Sequence, residues 1–181
     1  MRKAKVIVVS GITAGGKTTL VTALSKSVTD ICVLSFDEYS IDALPSAPTV
    51  EQLLTNFSEA VNHYDLAQLM TALISAQETN QFRIILIDFP FGYVHTVLKP
   101  YIDTVIYLRT PLDIAFGRRL IRDFSESNHA EIIAWTRTYL NEVRPLFLVH
   151  DRVVSATADY VLDGTASTVA QVARLNSLNV I

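Results

Sequence analysis

Cysteine and long hydrophobic runs are scarce in this sequence. The single Cys32 excludes a disulfide within one chain. Half of the residues are hydrophobic, yet the unbroken apolar runs stay well short of the roughly 20 residues that cross a bilayer. The basic start, Met1–Lys5, precedes an apolar segment that is too short for a signal peptide. We therefore expect a cytosolic protein that does not associate with membranes.

An excess of positive charge is also missing. The chain carries 15 basic and 18 acidic residues, a net charge of −3, whereas nucleic-acid-binding surfaces usually bring a surplus of Lys and Arg. No H-E-x-x-H metal spacing and no G-x-S-x-G nucleophile motif occurs. These absences argue against nucleic acid as a partner, against a histidine metal centre and against a serine hydrolase.

Apolar strand segments alternate with helical segments along the chain, without repeats or linker-like changes in composition. This alternation is typical of a parallel sheet covered by helices on both faces. The expected strands are Val6–Ser10, Ile31–Phe36, Arg83–Asp88, Thr104–Leu108 and Tyr160–Leu162. We therefore predict one α/β domain over residues 1–181 with a five-stranded, doubly wound parallel sheet.

Two prolines predict where helices begin or bend. Thr110 is expected to cap, and Pro111 to open, a helix over residues 111–124. Pro145 lies inside a longer helical stretch, residues 129–149, so we expect a kink or break just before it.

The segment Gly11–Thr18 fits the phosphate-binding pattern G-x-x-x-x-G-K-[ST] and lies between a β-branched strand and a helix. Backbone N–H groups and the helix dipole make such a loop an anion site. Lys17 is expected to reach the β- and γ-phosphates, and Thr18 to hold Mg²⁺. The predicted fold is therefore that of a P-loop NTPase, and its expected ATP-binding residues are Gly11, Thr13, Ala14, Gly15, Gly16, Lys17, Thr18 and Thr19.

Two carboxylates follow strands that end at the same sheet edge as this loop. Asp37 comes after the second expected strand and Asp88 ends the third. One carboxylate could accept the proton of an attacking hydroxyl, and the other could hold Mg²⁺ or its waters. Acidic residues at strand ends are also common turn formers and helix caps, so this alternative stays open.

Three arginines share one side of the helix after Pro111, opposite its apolar arc. Arg118, Arg119 and Arg122 could clamp phosphates there, or form a solvated face that pairs with Asp123 and Glu126. We predict a helical lid over about residues 117–130, with the arginines and Lys17 as catalytic cations.

Six short segments follow one another along the chain: GITAGGKTT, SFDEY, IDFPFG, RRLIRD, YLNEVRP and ADY. In order and spacing they resemble the uridine kinase and phosphoribulokinase group of P-loop kinases. The resemblance implies that Asp37 is the catalytic base, that Asp88 ends the Walker B strand, and that the lid arginines embrace ATP. It also places Tyr39, Phe91 and Arg144 on the substrate side.

The expected function is ATP- and Mg²⁺-dependent phosphorylation of a small alcohol, with the 5′-hydroxyl of a nucleoside favoured. The chain departs from uridine kinases: residues 124–128 lack further arginines, and the segment between Asp37 and Asp65 is short. Nicotinamide riboside and a pantothenate-like molecule therefore stay open as acceptors. A regulatory nucleotide-binding module is the alternative from another class. The donor preference and the oligomeric state are not determined by the sequence, and a homo-oligomer stays open.

Overall fold

The computed structural model describes residues 4–181, which contain a parallel sheet of five strands. Their order across the sheet is β2-β3-β1-β4-β5, and all four neighbouring pairs are parallel. The strands are β1 Lys5–Ser10, β2 Ile31–Ser35, β3 Ile84–Asp88, β4 Thr104–Arg109 and β5 Tyr160–Asp163. The predicted α/β fold and its sheet are confirmed.

Eight α-helices connect and cover these strands in the described residues. They are α1 Lys17–Ser27, α2 Val50–Thr55, α3 Phe57–Ala60, α4 Ala67–Glu78, α5 Leu112–Asp123, α6 His129–Thr138, α7 Arg144–Ser155 and α8 Thr168–Ser177. No helix in residues 4–181 has both the length and the apolar composition needed to cross a membrane.

The central strands are buried on both faces, as their near-continuous β-branched sequence predicts. Side chains of β1 alternate between the two faces. Val6 and Val8 join the core cluster formed with α4 and α7, whereas Ile7 and Val9 join the cluster formed with α1 and α8. This three-layer arrangement brings the carboxyl ends of all five strands to one edge, where the loops carry the candidate site.

The start of α5 differs from the expectation. Pro111, and not Thr110, is the residue that precedes the first helical residue, Leu112. The hydroxyl of Thr110 donates instead to the carbonyl oxygen of Gly15 at 2.8 Å and is buried there. Because its hydroxyl is engaged with the phosphate loop, Thr110 ties β4 to that loop and does not cap the helix.

The expected break before Pro145 is a π-helical turn at Tyr139–Val143, which joins α6 to α7. The N–H of Arg144 donates to the carbonyl oxygen of Tyr139, five residues earlier. A proline ring normally clashes with the carbonyl four residues before it, and the wider turn makes room for it.

Aromatic rings pack the end of α5 against α6. Phe116 stacks on Trp135 with ring centroids 5.3 Å apart, and Phe124 lies 4.9 Å from the same ring. Tyr139 contacts Phe116 at 4.6 Å. These contacts join the two helices in the region where the lid was predicted.

Candidate active site

The loop between β1 and α1 has the backbone that its glycines predict. Gly11 and Gly16 have φ values of +148° and +97°, a backbone conformation that residues other than glycine rarely adopt. A Cβ on Gly11 would lie 2.7 Å from the carbonyl oxygen of Leu108, so β4 allows no side chain there. The loop can therefore approach its neighbours and expose backbone N–H groups to an anion.

Lys17 lies at the base of this loop with its Nζ donating to the carbonyl oxygen of Ile12 at 3.2 Å. Burial lowers the pKa of the Lys17 ammonium, while the nearby carboxylates of Asp88 and Asp37 raise it. The guanidinium of Arg122 lowers this pKa as well. Lys17 thus lies among the two carboxylates and one of the arginines that the sequence singled out.

Thr18 and Asp88 are in direct contact, since the Thr18 hydroxyl donates to Asp88 Oδ2 at 2.7 Å. Asp88 ends β3 and is only 4% exposed. Burial raises the pKa of its carboxyl, and both the Lys17 charge and the Thr18 hydrogen bond lower it. A hydroxyl and a carboxylate beside a phosphate loop are the hard oxygen ligands that Mg²⁺ prefers.

The described residues contain no cluster of three or more His, Cys, Asp or Glu side chains that could hold a metal by themselves. Mg²⁺ typically uses one or two carboxylates together with substrate phosphates and water. The pair of Thr18 and Asp88 fits that mode of binding.

Asp37 begins a short 3₁₀ turn, Asp37–Tyr39, directly after β2. The N–H of Phe36 donates to the carbonyl oxygen of Asp88 at 2.9 Å, so the chain after β2 stays beside the end of β3. The carboxylate of Asp37 is exposed, and it is close enough to raise the pKa of both Lys17 and Arg122. This position leaves the Asp37 carboxylate accessible to a molecule from solvent.

A cavity of about 520 Å³ extends from the phosphate loop, and we call it the donor cavity. Four of its lining residues follow β5, and none of these four was identified from the sequence. The lining residues are Thr13, Ala14, Gly16, Lys17, Thr18, Thr19, Asp37, Leu108, Arg118, Arg122, Gly164, Ala166, Thr168 and Gln171. Gly11 and Gly15, also predicted for ATP binding, lie in the loop but not in this wall.

The three arginines of α5 have different surroundings. Arg118 lines the donor cavity and donates to the carbonyl oxygen of Gly164 at 3.2 and 3.3 Å. Arg122 also lines the cavity, and Asp123 accepts from it at 2.6 and 3.0 Å. Arg119 is not part of the cavity wall.

Arg119 is held against α6. Its guanidinium lies 5.2 Å from the ring centroid of Trp135, and its Nε donates to Asp123 at 3.3 Å. The helix-face prediction grouped the three arginines because it contained no information on where α6 packs. The structure brings Arg118 and Arg122 to the site and leaves Arg119 against α6.

A second, smaller cavity of about 190 Å³ adjoins the first, and we call it the acceptor cavity. Aromatic rings dominate its wall, and the sequence had identified only Phe91 and Asp37 as substrate contacts there. The lining residues are Gly11, Ile12, Thr13, Lys17, Phe36, Asp37, Asp42, Leu53, Phe57, Tyr64, Asp88, Pro90, Phe91, Leu146, Phe147 and His150.

The aromatic rings of the acceptor cavity pack on one another. Tyr64 stacks on Phe91 with centroids 5.0 Å apart. Phe36 meets both rings edge-on, at 5.5 and 5.9 Å. Burial and the nearby Asp42 carboxylate raise the pKa of Tyr64 to about 12, so its hydroxyl is protonated at neutral pH. The wall therefore offers flat apolar surface together with two hydroxyls, of Thr13 and Tyr64, and three carboxylates, of Asp37, Asp42 and Asp88.

His150 forms part of the same wall and is held by two hydrogen-bonding partners. Its Nε2 lies 2.8 Å from the carbonyl oxygen of Pro90, and its Nδ1 lies 3.3 Å from the Tyr107 hydroxyl. Because a carbonyl oxygen only accepts, Nε2 carries the proton and donates to Pro90. Burial lowers the pKa of His150 to about 4, which keeps the ring neutral.

Two predicted substrate contacts lie outside the acceptor cavity. Tyr39 packs against the core cluster at the end of β2. Arg144 lines a separate surface depression with Leu112, Phe116 and Tyr139. The π-helical turn before Arg144 alters the register of this segment, which a sequence pattern does not reveal.

Solved structures of several small kinases resemble this chain over nearly its whole length. Shikimate kinase from Bacteroides thetaiotaomicron has a TM-score of 0.58 at 17% identity, covering 98% of this chain and 99% of that one. Shikimate kinase from Acinetobacter baumannii, solved with shikimate, has a TM-score of 0.57 at 16% identity, covering 97% and 94%. Deoxyadenosine kinase from M. mycoides has a TM-score of 0.53 at 18% identity, covering 97% and 100%. The chain shares the fold of these kinases, a five-stranded parallel sheet with helices on both faces.

No protein-family model matches the chain, and no curated protein matches it in sequence. At such low identities, a structural likeness establishes the fold and leaves the substrate open. These structures do not confirm the resemblance to uridine kinases.

Proposed function

We propose that this protein is an ATP-dependent kinase of the uridine kinase-like type, which phosphorylates a hydroxyl of a small molecule. The observation that carries this proposal is the contact between two cavities: Lys17 and Asp37 line both of them. Phosphoryl transfer requires a donor and an acceptor to meet in line, with a base at the hydroxyl and cations at the phosphates. The shared wall supplies the base and one of the cations.

Asp37 is the proposed catalytic base. Its carboxylate is accessible and lies where the two cavities meet, so a hydroxyl held in the acceptor cavity can give its proton to it. Asp88 is less suited to this role because it is buried and accepts from the Thr18 hydroxyl. We assign Asp88 and Thr18 to Mg²⁺, which when bound would neutralise and orient the β- and γ-phosphates.

Lys17, Arg118 and Arg122 are the proposed phosphate cations, since all three line the donor cavity. They can stabilise the charge that develops on the transferred group. Arg122 is paired with Asp123 in the structure, and phosphate oxygens would have to compete with this carboxylate. A helix that carries both arginines, packed on α6 through aromatic contacts, suits the proposed lid over about residues 117–130.

The acceptor cavity favours an uncharged molecule with a flat ring. Its wall contains aromatic rings and two carboxylates besides Asp88. Within residues 4–181, Lys17 is the single Lys or Arg that lines this cavity. An anionic acceptor such as a nucleoside monophosphate would meet repulsion and little compensation. These features support a nucleoside, phosphorylated at its 5′-hydroxyl, and keep nicotinamide riboside or a pantothenate-like alcohol as alternatives.

A regulatory nucleotide-binding module is the second candidate. It would need the donor cavity alone, whereas this chain has a second cavity that opens beside Asp37. The proposal includes a cytosolic location, without nucleic acid or a membrane as partner. The net negative charge and the short apolar runs of the sequence support it.

An acceptor screen tests the proposal. ADP release from Mg-ATP would be measured with nucleosides, other ribosides and pantothenate, each with wild type and the Asp37→Asn variant. Acceptor-dependent release that the variant lacks supports a kinase with Asp37 as its base. Tight ATP binding, together with no acceptor-dependent release across the panel, would favour the regulatory module.

A further inference from the structure

One wall of the donor cavity comes from the loop after β5 and the first turns of α8. Gly164, Ala166, Thr168 and Gln171 form this wall. The phosphate loop at another wall binds the triphosphate in the function proposed above. In that function, the base of the nucleotide would occupy the remaining space, which the wall after β5 borders together with Leu108 and Arg118.

Gln171 is the buried polar side chain of this wall, with 6% of its surface exposed. Its Nε2 donates to the carbonyl oxygens of Asp163 at 2.9 Å and Ala166 at 3.2 Å. Both partners are carbonyls and accept only, so the amide cannot be turned round without placing oxygen against oxygen. The orientation of the Gln171 amide is thus fixed by the loop itself.

This orientation leaves the carbonyl oxygen of Gln171 unused. Within residues 4–181, Oε1 takes part in no hydrogen bond, although the side chain borders the cavity. The Gln171 oxygen is accessible at the cavity, since it is not among the buried atoms without a partner in residues 4–181, so it gains from a donor that reaches it and loses when another acceptor faces it. The wall therefore presents an acceptor, at a fixed position, to whatever base occupies the cavity.

We propose, building on the kinase function above, that Gln171 selects the purine of the phosphate donor by accepting a hydrogen bond from a 6-amino group. Adenine carries this amine, whereas guanine and hypoxanthine carry an oxygen at the same position. With adenine, the Gln171 oxygen gains a donor. With a 6-oxo purine, two acceptors face each other, and the nucleotide binds more weakly.

Nucleoside diphosphates test this without any turnover. Dissociation constants with Mg²⁺ would be measured by calorimetry for ADP, purine riboside diphosphate, IDP and GDP. Purine riboside lacks only the 6-amino group, so one lost hydrogen bond should weaken its binding about tenfold relative to ADP. IDP should be weaker still, because its 6-oxo group adds repulsion. GDP should also bind more weakly than purine riboside diphosphate.

The Gln171→Met variant identifies the protein side of the contact. It also removes the two hydrogen bonds to the loop, so every nucleotide could bind more weakly, and the informative quantity is the ratio between ligands. ADP and purine riboside diphosphate should bind Gln171→Met within about twofold of each other, because the acceptor is gone. Ser167→Ala, which removes the side chain that caps α8 and does not line the cavity, is the control and should keep the wild-type ratio.

Two results would overturn the assignment: equal affinities of wild type for ADP and purine riboside diphosphate, or a preference for ADP that persists in Gln171→Met. Neither of these two results depends on whether the protein is a kinase. A protein that phosphorylates no alcohol, but loses its preference for the 6-amino group in Gln171→Met, would retain this base selection without the proposed reaction.

Discussion

The hydroxyl of Thr18, in the first turn of α1, donates a 2.7 Å hydrogen bond to Oδ2 of Asp88 at the end of β3. This contact joins the phosphate loop to the strand beside it, and it brings together the two oxygen ligands assigned to Mg²⁺. Both residues were expected at one sheet edge because parallel strands end there. Their contact makes the metal assignment open to direct test.

Asp88→Asn should weaken the Mg²⁺-dependent part of nucleotide binding by about ten- to a hundredfold, because an amide is a poor ligand for a hard cation. The measurement is ADP affinity by calorimetry with Mg²⁺ and with EDTA. Thr18→Ser is the control, since it keeps the hydroxyl. If Asp88→Asn gains as much affinity from Mg²⁺ as wild type does, Asp88 is not a metal ligand.

Arg122→Gln should lower kcat by about a hundredfold, since Arg122 lines the donor cavity and can contact the transferred group. Arg119→Gln is the comparison on the same helix and should lower kcat far less. Its main effect should be on stability, because Arg119 lies over the Trp135 ring and pairs with Asp123. Steady-state kinetics and thermal unfolding separate the two. Equal losses of kcat would contradict the placement of these arginines.

His150 should make the fold less stable in mild acid. Burial holds its pKa at about 4, well below the ordinary 6.5, so the unfolded chain binds this proton first as the pH falls. The stability from neutral His150 is complete above pH 6.5 and decreases towards pH 4. Over that window the loss of folding free energy is about 3 kcal/mol.

Denaturant unfolding between pH 4 and pH 7 measures this slope, and His150→Gln should remove much of it while keeping a donor for Pro90. Buried His95 also has a lowered pKa and contributes with the same sign, so some slope should remain in the variant. An unchanged slope in His150→Gln would mean that His150 titrates normally.

The parts of the site that the sequence predicted are those fixed by local pattern. The spacing of the phosphate loop determines its backbone, and the ends of β2 and β3 place Asp37 and Asp88 at its edge. The five strands could be predicted for the same reason, because each is an apolar run bounded by turn signals.

The acceptor cavity could not be predicted because its wall is assembled from distant segments. Phe57 comes from α3, Tyr64 from the loop before α4, and His150 from α7. Only the packing of these segments brings the three rings together. Arg144 and Arg119 show the same limit, since a π-helical turn and the position of Trp135 decide where these side chains lie. Gln171 is part of no recognisable sequence motif, so its place in the cavity wall could not be predicted.

The most direct test of the proposed reaction is a comparison of Asp37→Asn with wild type, once an acceptor is known. ATP affinity and kcat would be measured for both, with Glu38→Gln as a control that alters the neighbouring carboxylate, which lies outside both cavity walls. Removal of a general base typically costs 10²- to 10⁴-fold in rate. We expect Asp37→Asn to bind ATP within about threefold of wild type and to lose at least a hundredfold in kcat. A variant that keeps wild-type turnover would show that Asp37 is not the base.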